Sequence, residues 1–506
     1  MIPSTRTMRI IQKRRDSIKY RVTIEQDFYI LRSYEIAYKM SKMLKDMNIS
    51  KEVFRAYDIR GIVGEQIHEE FAYKLGQVFA QLLQQECQKK DLQIVIGKDM
   101  RTSSESLQQA LMKGLIDSGV HVLDIGLVST PAFYFAVGHL NADGGIMVSA
   151  SHNPAKYNGF KMTRSKAVPI GQGSGMEILK QGMLQETNLS RDLSGIYEEV
   201  YDSIPKLATL AEIDFIKPES IRPFRIVADT ANGMGAQYLD LLFSKIEADL
   251  IRLYWEFDGS FPNHEADPLK EENLAHLKKR VLEEKADIGI ATDGDGDRVF
   301  FVTEKGEVVE PAIVRSILAE VMLRKFPGGK VCFDVRPGRI ADDTVLLLGG
   351  KILRTPVGHA FIKTKMKEQG AIFAGESSGH YYYAFPQGFY EGPVTAIVSI
   401  LAELTRTGKT LSELIQPKRI YAHSGEINFT IENKQEVIEA IVKYYRDGII
   451  TNIDGVSIEY PDFWLNVRAS NTEPILRLNL EAKNHKIMEK RRDEMIGFIE
   501  QVGKTS

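Results

Sequence analysis

From Lys51 onward the chain alternates short apolar runs with longer stretches in which apolar residues recur at helical spacing. That is the pattern of α/β domains with largely covered sheets. The runs Gln93–Ile96, Val120–Ile125, Gly145–Ser149, Arg225–Ala228, Asp287–Ala291, Val331–Val335 and Ala371–Ala374 predict strands, and Glu105–Ser118, Leu274–Lys285 and Pro311–Lys325 predict helices between them. The last stretch differs. A helix over Lys434–Tyr444, then strands over Phe463–Arg468 and Ile475–Glu481 joined by a polar turn, predict a small α+β domain. Turn residues near Gly195, Gly306 and Pro417 predict boundaries, dividing the chain into 47–195, 196–306, 307–417 and 418–506. No short-period repeat is visible, and a strand-loop-helix unit repeated at domain scale stays open.

The length of 506 residues agrees with several domains, at about 150 residues each. A net charge of −3, with 43% hydrophobic and 26% charged residues, is ordinary for a soluble protein and disfavours a generally basic nucleic-acid binder. Two cysteines, Cys87 and Cys332, build neither a disulfide framework nor a cysteine zinc site, which fits a reducing cytoplasm. No apolar run is long enough for a membrane span and no secretory signal opens the chain, so neither membrane nor nucleic acid is an expected partner. Residues 1–46 stand apart: they are basic, with Arg6, Arg9, Lys13, Arg14, Arg15, Lys19 and Arg21. A tail upstream of a true start at Met47, a basic binding arm and a targeting peptide are the three readings of this extension.

Ligands bind beyond the carboxyl ends of strands in such folds, and four loops there carry chemistry. Asp293-Gly294-Asp295-Gly296-Asp297-Arg298 follows a strand and offers three carboxylates at alternate positions, with glycines that let the backbone curl. This predicts a hard-cation site suited to Mg²⁺, with a solvated acidic turn as one alternative. An EF-hand shares the spacing through Glu304, but Arg298 holds its glycine position and a strand precedes the loop instead of a helix. Ala150-Ser151-His152-Asn153-Pro154 offers Ser151 as a phosphoryl acceptor; a helix cap or turn and a Ser-His hydrolase are the alternatives. Gly375-Glu376-Ser377-Ser378-Gly379-His380 offers Glu376 and Ser378 as groups that can grip vicinal sugar hydroxyls, with a plain Gly-flanked polar turn as its alternative. Arg468-Ala469-Ser470-Asn471-Thr472-Glu473-Pro474 suits a phosphate monoester, with a plain β-turn as its alternative. Metal triplet, nucleophile, hydroxyl reader and phosphate clamp together describe a phosphosugar enzyme that closes on its substrate.

The order and spelling of these loops, with Phe54-Arg55-Ala56-Tyr57-Asp58-Ile59-Arg60-Gly61 and Gly97-Lys98-Asp99-Met100-Arg101 before them, resemble the α-D-phosphohexomutase family, within it the phosphomannomutase/phosphoglucomutase branch. The match runs over nearly the whole chain from about Met47. The resemblance implies four domains, three similar α/β domains with mixed sheets and a smaller α+β C-terminal domain, around a central active-site cleft. It implies that Ser151 carries a phosphoryl group, with Mg²⁺ held by Asp293, Asp295, Asp297 and an oxygen of that group. Arg298 would contact the phosphoryl group or substrate. Arg60, Lys161 and His380 become candidates for proton transfer or charge stabilisation, and Tyr57 and His359 line the site. Glu376 and Ser378 would hold sugar hydroxyls, while Arg468, Ser470, Asn471 and Thr472 would hold the phosphate that is not transferred. The implied reaction interconverts hexose 6-phosphate and hexose 1-phosphate, mannose or glucose, through a phosphoserine and a hexose 1,6-bisphosphate intermediate. A monomer or homodimer is expected.

Three departures stand out. Arg336 occupies a lysine position of the closest branch, Glu391-Gly392 stands where Asp-Gly or Asp-Ser is more usual, and the basic extension has no counterpart. The competing functions are a phosphoglucosamine mutase, a sugar-bisphosphate synthase or phosphatase, and a non-catalytic sugar-phosphate sensor.

Overall fold

Three sheets repeat one plan, and that plan places the chemistry. A computed structural model describes residues 49–185, 192, 194–201, 203–336, 338–469 and 475–503. The extension 1–46 and the segment Ser470, Asn471 and Thr472 lie outside the described residues. Apart from residues 49–50 and 184–185, the described residues form one compact unit.

The first sheet contains β1 (Ile59–Ile62), β2 (Gln93–Lys98), β3 (His121–Leu127), β4 (Gly144–Val148), β5 (Tyr157–Arg164), β6 (Val168–Pro169) and β7 (Ile196–Glu199). Its order is β1-β5-β4-β2-β3-β7, with β6 on β5. Strands β4, β2, β3 and β7 run parallel, and β5 turns back antiparallel against β4. The second sheet, β8 (Phe224–Asp229), β9 (Ala248–Leu253), β10 (Ile288–Thr292) and β11 (Val299–Thr303), has the order β11-β10-β8-β9. Here β10, β8 and β9 are parallel and β11 returns antiparallel on β10. The third sheet, β12 (Lys330–Asp334), β13 (Lys351–Thr355), β14 (Ala371–Gly375), β15 (Tyr381–Phe385) and β16 (Gly388–Glu391), runs β13-β12-β14-β15-β16. Strands β13, β12 and β14 are parallel, with β15 antiparallel on β14. In each sheet, then, one turn joins the last parallel strand to an antiparallel partner. Those turns are the serine loop, the aspartate loop and the Glu376 loop.

The fourth sheet differs. Strands β17 (Ala422–Thr430), β18 (Ile449–Thr451), β19 (Val456–Glu459), β20 (Phe463–Ala469) and β21 (Ile475–Ala482) are antiparallel throughout, in the order β17-β21-β20-β19-β18. Helices Lys434–Tyr444 and His485–Val502 bury Val437, Ile441, Met495 and Ile499 in this sheet's own core. The other three sheets share one continuous core, in which Phe133, Ile290, Phe301, Phe333 and Tyr383 are buried together. The first sheet continues through β7, past the boundary expected near Gly195.

Local chemistry sets the helix ends. Ser129 accepts the Ala132 N–H and Pro131 opens the helix Thr130–His139. Gly370, at φ +65°, closes His359–Gln369. The helical period over Leu274–Lys285 is split into a 3₁₀ turn, Glu271–Leu274, and a helix, Ala275–Glu283.

Candidate active site

The serine turn follows β4. Ser151 is buried, with φ +51°, a left-handed conformation that costs a β-carbon-bearing residue energy and that its surroundings must impose. Arg101 imposes it. This buried guanidinium donates to four carbonyls of the turn: Ser151 at 2.8 Å, Asn153 at 2.5 Å, Pro154 at 3.0 Å and Tyr157 at 2.9 Å. The Ser151 N–H is bound by Ser149 Oγ at 2.9 Å. The hydroxyl then points at the aspartate turn and donates to Asp293 Oδ2 at 2.9 Å, with His152 Nδ1 at 3.3 Å.

Gly296, at φ +73°, lets the second turn curl so that one oxygen each of Asp293, Asp295 and Asp297 lie within 4.8 Å of one another, all three residues buried. Asp293 Oδ1 accepts the N–H groups of Asp297 and Arg298, both at 3.1 Å. Asp295 Oδ2 accepts from Thr130 at 2.6 Å, Ser149 at 3.3 Å and Lys161 at 2.6 Å, and Lys161 also reaches Asp297 Oδ2 at 2.6 Å. Asp295 Oδ1 is buried with no hydrogen-bond partner. Burial, then Asp297 and Asp295, push the Asp293 carboxyl well up. Burial acts on Asp297 in the same sense, but Lys161 and His380 outweigh it and hold Asp297 low. Three oxygen donors, an orphaned carboxylate oxygen and repulsion that a cation would relieve fit a hard metal ion. The EF-hand alternative fails: Glu304 accepts from Ser412 N at 3.1 Å and from its hydroxyl, apart from the triad.

The third turn supplies Glu376, Ser378 and His380. Glu376 accepts from the Tyr382 hydroxyl at 2.5 Å, Gly358 N at 3.1 Å and Arg336 Nη2 at 3.3 Å. Burial opposes its ionisation, yet His380, Arg336 and Tyr382 hold it well below the usual carboxylate range. Ser378 Oγ lies 2.9 Å from His380 Nδ1. His380 joins the second and third turns, its Nε2 3.1 Å from Asp297 Oδ1 and its Nδ1 3.3 Å from Glu376 Oε2. Burial lowers its pKa, but Asp297 and Glu376 raise it to about 9. Arg298 lies over this junction, with Nε 3.4 Å from His380 Nε2 and Nη1 3.4 Å from Asp267 Oδ1.

The remaining expected residues approach from the sides. Arg60 donates to Asn153 Oδ1 and Asp58 Oδ2, both at 2.6 Å. Tyr57 donates to Val357 O at 2.5 Å and meets the His359 ring edge-on at 5.7 Å. Burial and Glu376 push its phenol up to about 12. Gly358 makes this approach possible, because a β-carbon there would stand 2.3 Å from the Tyr57 ring. Burial, then Lys363, keep His359 neutral, with both ring nitrogens buried and without a hydrogen bond. Arg468 stands in the fourth sheet, with Nη2 3.1 Å from Glu426 Oε2. Its expected companions Ser470, Asn471 and Thr472 lie outside the described residues.

These contacts unite Ser151, Lys161, Asp293, Asp295, Asp297, Arg298, Glu376, Ser378 and His380 in one chain of direct contacts, with Arg60 tied to the serine turn and Tyr57 and His359 beside Gly358. Several supports have no role assigned by the sequence pattern: Arg101, present only within a motif, Thr130, Ser149, Asp267 and Tyr382. One carried a signal. Asp99 directly after β2, and Asp229 and Asp334 at the ends of β8 and β12, stand at corresponding places in the first three sheets, and each accepts the N–H two residues on, of Arg101 at 3.1 Å, Ala231 at 2.9 Å and Arg336 at 2.7 Å. Asp99-Met100-Arg101 and Asp334-Val335-Arg336 are thus one device used twice, a carboxylate that pairs with the arginine braced on the turn.

Four family profiles match the chain in order: phosphoglucomutase/phosphomannomutase alpha/beta/alpha domain I over residues 51–187, domain II over 204–306, domain III over 311–420 and the C-terminal domain over 426–497. The chain belongs to the phosphoglucomutase/phosphomannomutase family. A phosphomannomutase of Vibrio cholerae is 37% identical over 469 residues, covering 89% of this chain and 98% of that protein. A phosphomannomutase/phosphoglucomutase of Pseudomonas putida is 35% identical, covering 87% and 94%. A crystal structure of a phosphoglucomutase/phosphomannomutase family protein from Burkholderia thailandensis superposes with a TM-score of 0.80 at 31% identity, covering 90% of this chain and 98% of that one. Membership explains why three sheets share a plan: they are the three alpha/beta/alpha domains of the family, each contributing one turn to the site.

Proposed function

We propose that this protein is a phosphohexomutase that interconverts hexose 6-phosphate and hexose 1-phosphate, with mannose or glucose as the sugar, through a phosphorylated Ser151 and a hexose 1,6-bisphosphate. One observation carries the reading. Ser151 Oγ stands 2.9 Å from Asp293 Oδ2 inside a buried three-aspartate cluster, and His380 links that cluster to Glu376 and Ser378. A candidate nucleophile, a candidate cation site and a candidate hydroxyl reader therefore lie in one chain of contacts, which supports this reading.

Asp293, Asp295 and Asp297 would hold Mg²⁺, which neutralises charge on the transferring phosphoryl oxygens. The rest falls to the chain. A free hydroxyl of the bound sugar phosphate attacks phosphorus, the bond from phosphorus to Ser151 Oγ breaks as the bond to the sugar oxygen forms, the hydroxyl proton passes to a group in the site, and Ser151 Oγ takes up a proton as it leaves. Arg60, Lys161, Arg298 and His380 surround that position and supply the fixed positive charge that phosphoryl transfer needs. Glu376 and Ser378 would hold the sugar, with Tyr57 and His359 beside them. Arg468, Ser470, Asn471 and Thr472 would hold the second phosphate. The reverse transfer, from the other end of the bisphosphate, restores the enzyme.

We assign four domains as expected from the sequence, 47–195, 196–306, 307–417 and 418–506, with the first extended to include β7. No described helix is long and apolar enough to cross a membrane. Two unpaired cysteines, Cys87 exposed and Cys332 buried, suit the cytoplasm of our reading. Intact-mass and fragment analysis after incubation with glucose 1,6-bisphosphate tests the mechanism, alongside conversion of mannose 1-phosphate, glucose 1-phosphate and glucosamine 1-phosphate. Phosphate on Ser151 with isomerisation of the first two is expected. An unmodified Ser151 in a protein that isomerises none of them refutes the reading, and conversion of glucosamine 1-phosphate alone changes the substrate.

A further inference from the structure

The helix Thr130–His139 ties three parts of the molecule together. At its start, Thr130 donates through N to Asp295 O at 3.0 Å and through Oγ1 to Asp295 Oδ2 at 2.6 Å. Near its end, Gly138 packs so closely on the β15–β16 turn that a β-carbon would stand 2.1 Å from Gln387 O. Between them lies the buried Tyr134, with Lys363 Nζ 3.5 Å above its ring centre. Lys363 belongs to the helix His359–Gln369, and its ammonium pairs with Glu391 at 2.8 Å, both side chains 1% exposed. Glu391 is the cross-strand neighbour of Tyr382. The Tyr382 ring lies 5.8 Å from the same ammonium, and its hydroxyl is the one that donates to Glu376 Oε2 at 2.5 Å.

A buried ion pair is a poor source of stability, because desolvation offsets most of the attraction and apolar replacement of both partners is often neutral. What this pair does have is position: one tyrosine beside it sits on the helix that holds Asp295, and the other holds Glu376. Glu391, a small departure from the family spelling in the sequence, is the buried counter-ion of this junction. We propose that Lys363 and Glu391 are positioning residues for the phosphosugar. The pair fixes Tyr134 and Tyr382 across the seam between the first and third sheets, and through the Tyr382 hydroxyl sets Glu376 at a fixed place relative to Ser151 and the aspartate turn. The identity of the ligand rests on the mutase reading above.

A single substitution strands the other charge in the interior, so the test uses the double variant Lys363→Met/Glu391→Leu beside Tyr382→Phe, which keeps the ring and removes only the donor to Glu376. Each is expected to raise KM for glucose 1-phosphate about tenfold, while kcat per phosphorylated Ser151 stays within about twofold. Combining all three changes adds nothing further, since they act through one contact. Calorimetric titration of the dephosphorylated protein with glucose 6-phosphate reads the same loss without turnover. Wild-type KM and affinity in the folded double variant overturn the proposal, and so do additive effects. A wild type that isomerises no hexose phosphate, yet binds glucose 6-phosphate in a manner dependent on Lys363 and Glu391, sinks the mutase reading and leaves the positioning role standing. A wild type that does not bind the sugar phosphate removes both.

Discussion

Glu212 sets a limit on stability at alkaline pH. It lies on the helix Ile204–Ile216, is 4% exposed, and its Oε2 accepts the Thr395 N–H at 2.9 Å at the start of the helix Pro393–Thr407. A helix N-terminus favours a carboxylate, but burial dominates and pushes this carboxyl from 4.5 up to about 8. The phenols that sense its charge, Tyr238, Tyr383 and Tyr390, are raised well above their ordinary value and stay neutral in this range, so the titration belongs to Glu212. Because the native pKa is raised, the native state binds more protons than the unfolded chain between these values. The stability is therefore fully present below pH 4.5 and is lost as pH rises through about 8. At 1.36 kcal/mol per unit the whole window is worth roughly 5 kcal/mol, of which about 3 fall between pH 5.5 and 8.5. Glu212→Gln keeps an acceptor for Thr395 and removes the titration. The chain has two tryptophans, and replacing Trp464 by Phe leaves Trp255, which packs on the shared core, as the only reporter. Urea titrations in this background should give Glu212→Gln an advantage over the parent that is about 3 kcal/mol larger at pH 8.5 than at pH 5.5. Parallel pH profiles for the two proteins would show that Glu212 is ionised at little cost and that the argument from burial is wrong.

Three further outcomes are expected. Asp295→Asn should lower turnover by about a hundredfold and raise the Mg²⁺ concentration for half-maximal rate, checked by metal titration of initial rates; an unchanged metal response would take the aspartate turn out of the cation site. Arg101→Lys should lower kcat about tenfold or more, with the metal response unchanged, because one ammonium cannot hold four carbonyls. Steady-state kinetics at saturating Mg²⁺ reads this, and full activity would mean that the serine turn holds its shape unaided. Arg339→Ala should raise KM for the sugar phosphate several-fold, by loosening the fourth sheet, and leave labelling of Ser151 by glucose 1,6-bisphosphate intact; loss of labelling would show that the contact supports the serine turn instead.

Much of this was legible in the sequence because strand runs and the turns after them are local. The runs at Gln93, Arg225 and Ala371 fall within strands β2, β8 and β14, and Asp293, Asp295 and Asp297 converge because two glycines let six consecutive residues curl. Strand β1, by contrast, gave no signal: its four residues include Arg60 and Gly61, and it owes its place to antiparallel pairing with β5, far along the chain. Arg101 stands in the sequence only as part of a motif, since its role depends on carbonyls 50 to 56 positions away. Lys363 carries no signal in the sequence and Glu391 only a departure of spelling, because only tertiary packing brings the two together and buries them.

The division of the core bears on how one site can serve both ends of a sugar. Serine turn, aspartate turn and Glu376 turn stand on three sheets that share a continuous core, so their mutual distances are fixed by close packing. The fourth sheet packs around a core of its own. It meets the third sheet's segment through polar contacts: Glu481 Oε2 accepts Gly338 N at 3.3 Å and Arg339 N at 3.0 Å, Arg339 Nη2 donates to Tyr460 O at 2.7 Å, and Val357 N donates to Asp454 Oδ2 at 3.0 Å. Such contacts exchange with water at little net cost, whereas apolar packing does not. Phosphoryl transfer needs rigid placement of nucleophile and cation site. A grip on the phosphate that stays behind must instead let go for each new orientation of the sugar. Under the proposed mechanism, with Arg468 as part of that grip, its place on the separately packed sheet, and that of Ser151 with the aspartates on the shared core, would meet both demands in one chain.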